Sequence, residues 1–64
     1  MDATIMYPKT CRKSIRILTD NIGVSVETAY AMMLMTAALM DLQPGDDRVT
    51  ELILKDCGIE MDIA

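Results

Sequence analysis

Four cations, Lys9, Arg12, Lys13 and Arg16, follow one another at intervals of three, one and three, and no acid lies between Pro8 and Leu18. On a helix that spacing gathers the charges along one side, and such a side can hold anions, phosphates above all. The same run can serve as a solvated face that keeps a small apolar protein in solution. Other reactive groups are sparse. The chain contains no His, which removes the commonest general base and the commonest metal ligand. Cys11 and Cys57 are 46 positions apart, with no CxxC spacing and no third thiol, so neither a disulfide framework nor a zinc site is indicated. Asp46 and Asp47 are neighbours, a placement that suits capping a helix better than sharing a proton. With no Gly-rich phosphate loop and no paired acid and base, the chain is expected to be a non-enzyme with no catalytic residues, metal or cofactor.

The elements that must position these residues are well punctuated. The 64 residues suffice for one small domain, and a chain of that size buries only about 60% of its unfolded surface, so help from a partner is expected. Asp2 to Tyr7 precedes a Pro and carries Thr4, Ile5 and Tyr7, which predicts a short strand. Beyond Pro8 the apolar positions Cys11, Ile15, Leu18 and Ile22 form a helical stripe that Gly23 would close. Ser25 is placed to cap a second helix running to about Leu42. Pro44 and Gly45 then interrupt, and Asp46 or Asp47 would cap a third helix carrying Val49, Leu52, Ile53 and Cys57 up to Gly58, with Ile59 folding back on Leu54. The remaining residues, Glu60 to Ala64, are expected to fray.

Eleven of the twelve residues from Ala29 to Met40 are apolar, with Thr36 alone interrupting. As a helix this stretch would be about 18 Å long, too short for a hydrocarbon core of about 30 Å. It predicts a helix covered on nearly every side, since a surface helix would show a polar face. The segment MDATIMYPK lacks a basic start followed by an apolar run, so a cytoplasmic, non-membrane setting is expected. The seven Met read as adaptable core filler, with Met32 and Met35 as candidates for an exposed binding face. Charge is uneven: residues 1–40 hold four basic and three acidic groups, residues 41–64 two basic and seven acidic, giving +1 and −5 and the net −4.

Strand, Pro8, the stripe Cys11–Ile15–Leu18–Ile22, Gly23-Val24-Ser25, then Ala29, Tyr30, Met33, Leu34 and Ala37 on the second helix: this order and spacing resembles the ribbon-helix-helix family of small repressors and antitoxins, from residue 3 to about 40. The resemblance implies a mostly α homodimer whose chains each donate a strand to an antiparallel ribbon. Residues 1–42 would be the dimerisation and DNA-binding unit, and residues 43–64 an acidic helix and tail, either in the same domain or as a partner-binding extension. It implies that Thr4 and Met6, with Asp2, face the major groove of double-stranded DNA. Lys9, Arg12, Lys13, Arg16, Val24 and Ser25 would contact phosphates. Ile5, Tyr7, Tyr30, Met33, Leu34 and Ala37 would form the dimer core, with Ala3 also inward. The function so implied is a small transcriptional regulator or antitoxin-type repressor.

Two features favour an alternative. Met6 cannot donate a hydrogen bond to a base and Asp2 repels phosphate, and the whole chain is acidic. The alternative is a small acidic protein-interaction module, an inhibitor or adaptor of the phage or plasmid kind. It would engage a protein through the C-terminal segment, at Leu52, Ile53 and Asp56.

Overall fold

The computed structural model describes residues 2–61, and within them the chain forms a 3-10 turn (Ala3–Met6) and three helices, α1 (Lys9–Ile22), α2 (Val26–Met40) and α3 (Asp47–Asp56). No strand is present among the described residues. The mostly α class stands, whereas the ribbon-helix-helix arrangement with its N-terminal strand does not. The part of the C-terminal tail beyond residue 61 lies outside the described residues.

The reason the N-terminus coils instead of extending is local hydrogen bonding. The Asp2 carboxylate accepts from the Thr4 amide at 2.9 Å and from the Thr4 hydroxyl at 2.7 Å, the short-range pattern by which Asp competes with extended structure. The Tyr7 amide then donates to the Thr4 carbonyl at 3.0 Å. Arg12 reaches back from α1 and donates to the Tyr7 and Ile5 carbonyls, each at 3.1 Å. These backbone groups are therefore satisfied without a second strand. Three residues per turn also exchange the expected sides of Thr4 and Ile5: Thr4 is buried and Ile5 faces outward, and Met6 is exposed beside it.

The helix boundaries follow from their caps. Pro8 opens α1, and Gly23 closes it in the left-handed region at φ 80°, with its amide on the Thr19 carbonyl. The Ser25 hydroxyl caps α2 by accepting from the Thr28 amide at 3.2 Å. That helix stops before Leu42, because Asp41 adopts φ 56° and the Leu42 amide closes on the Ala37 carbonyl at 3.0 Å; Asp is one of the few side chains that tolerates this backbone shape. Asp46 caps α3 through the Arg48 amide at 2.9 Å. At the other end the Ile59 amide bonds the Leu54 carbonyl at 2.8 Å, the six-to-one closure expected when an apolar residue folds back after a Gly.

Between α1 and α2 the chain turns by 113°, and α3 packs against both. Cys11, Ile15 and Leu18 of α1, Ala29, Met33 and Ala37 of α2, and Val49, Ile53 and Leu54 of α3 make one core. All three helices contribute to it, and burying each side chain of the Leu, Ile or Met kind contributes about 1.5–3 kcal/mol. Residues 43–61 thus share the core of residues 2–42. Gly45 lets the α2–α3 connection press on α1, since a Cβ there would lie 2.1 Å from the Thr10 carbonyl oxygen. No single helix among the described residues is long and apolar enough to cross a membrane.

Candidate interaction surface

The cations of α1 are largely engaged by their own chain. Arg12 holds the carbonyls of Ile5 and Tyr7. Arg16 pairs with the Asp2 carboxylate and donates to the Thr4 hydroxyl at 3.3 Å. Lys13 approaches Asp47 at the start of α3, 3.7 Å away. Lys9 is exposed and makes no ion pair among the described residues. One task of the basic run is therefore to fasten the N-terminal turn to α1 and α1 to α3. Asp2 shows the effect: hydrogen bonds from the Thr4 amide and hydroxyl, then the Arg16 guanidinium, lower its pKa from the usual 3.8 to about 2. Asp46 is likewise lowered to about 2, first by the Arg48 side chain and then by the Arg48 amide.

Of the expected base-facing residues, Thr4 is buried beneath the turn and Met6 is 86% exposed. Val24 is half-buried against the core, and the Ser25 hydroxyl is occupied in its helix cap, also donating to the Thr28 hydroxyl at 2.9 Å. The expected dimer-core residues divide. Met33 and Ala37 lie inside the single chain's own core. Tyr7 and Tyr30 pack on each other with ring centroids 4.8 Å apart and planes tilted by 58°. Ile5 and Leu34 are exposed. Of the C-terminal candidates, Ile53 is buried, Leu52 half-buried and Asp56 exposed.

What the residue pattern missed is how α2 divides its apolar surface. The core takes Ala29, Met33 and Ala37, one line along the helix. On the opposite side Ala31, Leu34, Met35, Ala38 and Leu39 are all exposed, with Leu39 at 89% and Met35 at 70%. At 3.6 residues per turn these five positions share an arc of about 140°. A helix end in solvent would carry polar residues there, yet Glu27 is the single charge in the whole of α2. The signal was in the sequence, since eleven of twelve apolar residues exceed what one small core can cover.

Beside this strip, on its α3 edge, lies a depression of about 170 Å³ lined by Met32, Met35, Thr36, Ile53, Asp56 and Cys57. Met32, Met35 and Thr36 form its α2 wall, and Leu39 stands on the same edge one turn further along. Flexible Met side chains suit a surface that must fit around another molecule. Cys57 on its rim is an exposed thiol, whereas Cys11 is buried. No group of His, Cys, Asp or Glu among the described residues is arranged to hold a metal ion. Comparison of the chain with protein-family models, with curated proteins and with solved structures finds no match.

Proposed function

We propose that this chain is a small protein-interaction module, an adaptor or inhibitor without catalytic chemistry, which works by presenting the outer face of α2 to another protein surface. The observation that carries the reading is the strip Ala31–Leu34–Met35–Ala38–Leu39, five exposed apolar side chains in register along one helix with no charge among them. Isolated exposed apolar residues are ordinary, but a contiguous strip marks a surface that is covered in use. Covering one side chain such as Leu39 is worth about 1.5–3 kcal/mol, so a few of them supply a useful binding energy.

In this reading the docking surface takes in α2 and the depression on its α3 edge, which Ile53 and Asp56 help to line. DNA reading through a β-ribbon finds no support in this arrangement. The ribbon is replaced by the 3-10 turn, and Arg12, Lys13 and Arg16 already hold partners within the chain.

Site-specific photo-crosslinking in cells tests the reading. A photoreactive residue at Ala38 should give protein adducts, and one at Asp20, exposed on α1, should not. Equal labelling from both positions, or none from Ala38, would overturn it.

A further inference from the structure

The strip is almost free of charge, which restricts what can cover it. Within α2 only Glu27 is ionised, at the first turn, and Asp41 follows the last. A basic helix would need acids along the strip; between those two ends α2 has none, and Asp56 in the neighbouring depression stands to one side of it. A weakly charged apolar surface with the same geometry is the better complement, and the chain itself offers one. Leu39 is a projecting knob at 89% exposure, and the depression of about 170 Å³ is a hole with Met32, Met35 and Thr36 on its α2 side and Ile53, Asp56 and Cys57 on its α3 side. Both lie on the α3 edge of the same helix.

Resting on the reading of α2 as the docking face, we infer that its occupant is a second copy of this chain, packed α2 against antiparallel α2 so that Leu39 of each copy enters the Met32–Met35 depression of the other. The symmetry makes this specific. In an antiparallel pair related by a two-fold axis, like edges meet, so the α3 edge of one helix lies along the α3 edge of the other. A parallel pair would set the α3 edge against the α1 edge and leave each knob without its hole.

An axis crossing α2 between Thr36 and Ala37 brings Leu39 level with Leu34 of the second copy, and Ala38 level with its Met35. The small Ala31 and Ala38 side chains let the helices approach closely. Asp41 then lies level with Met32 of the second copy, and Glu27 falls beyond the end of the facing helix. Glu27 and Asp41 of the two α2 helices therefore do not oppose each other, whereas Asp56 stays on the edge where the copies meet, and each copy carries a net charge of −4.

The available area is small. Fifteen residues make a helix about 22 Å long, and one helix face of that length falls short of the roughly 800 Å² per partner of a standard interface. Contact through so small a face makes a weak, concentration-dependent dimer.

Sedimentation equilibrium of the full chain from about 5 to about 200 µM spans the range such an affinity would populate. The expected mass rises from 7.1 kDa towards twice that value. Leu39→Asp should stay monomeric throughout with an unchanged helical circular dichroism spectrum, and Leu39→Ala should weaken association at least about tenfold, the loss of one well-packed anchor. A bulky maleimide on Cys57, which leaves the buried Cys11 untouched, should also block pairing. A wild-type chain monomeric at the top concentration overturns the inference, and so does a dimer indifferent to both the Leu39 and the Cys57 changes. Heterologous adducts from Ala38 with a monomeric chain would remove the second copy and leave the docking face standing; no adducts and no dimer would remove both.

Discussion

The Thr50 hydroxyl donates to the Ser14 hydroxyl at 2.8 Å, joining α3 to α1 across the core with both side chains buried. It is a buried polar contact between two helices that Lys13 and Asp47 also bridge nearer the surface, and it ties together residues 36 positions apart. Ser14→Ala strands the Thr50 hydroxyl in an apolar setting and should cost about 1–3 kcal/mol. Ser14→Ala with Thr50→Val removes both polar partners and should cost less than the sum of the two single changes. Urea unfolding of the four proteins checks this; strict additivity would mean that the two hydroxyls do not depend on each other.

Acid should loosen the N-terminal turn before it unfolds the helices. Asp2 is held at about 2 in the folded chain, against 3.8 when unperturbed. A carboxylate whose folded value is depressed stabilises fully above its unfolded value and loses that contribution as pH falls through the folded one. The contribution of Asp2, and that of Asp46, which is lowered to about 2 in the same way, therefore decays from about pH 4 down to about pH 2. Thermal melts between those limits should show a steeper acid dependence for the wild type than for Asp2→Asn. An NMR titration of the Asp2 carboxyl centred near 3.8 would mean that Thr4 and Arg16 do not hold it in solution.

Gly45→Ala should destabilise the fold through contact with backbone, not through lost flexibility. Its new methyl would meet the Thr10 carbonyl oxygen at 2.1 Å and the Thr10 carbonyl carbon at 2.9 Å. The α2–α3 connection would have to retreat from α1, at the 1–3 kcal/mol or so that overpacking usually costs. Denaturant melts of the variant check this, and an unchanged midpoint would show that the connection moves away without resistance.

Local signals in the chain determined the helices. Gly23 offers the left-handed residue that ends α1, Ser25 and Asp46 supply the side-chain oxygens that start α2 and α3, and Ile59 after Gly58 completes the last closure. Each depends on neighbours within a turn, so it can be read residue by residue. The excess of apolar residues between Ala29 and Met40 was also legible, because composition counts what a core must cover.

The N-terminal segment was decided by the local Asp2–Thr4 hydrogen bonds together with contacts from α1. Thr4, Ile5 and Tyr7 before a Pro favour an extended chain, but Arg12 and Arg16 stand on α1 where they can bind the carbonyls and the carboxylate of a turn. No local pattern announces a bond made ten or more positions away, and the pairing of Arg16 with Asp2 spans 14. The division of α2 was likewise settled by packing. Period alone makes Met33 and Leu34 equivalent apolar positions; the positions of α1 and α3 bury the first and leave the second, with Met35 and Leu39, on the outside.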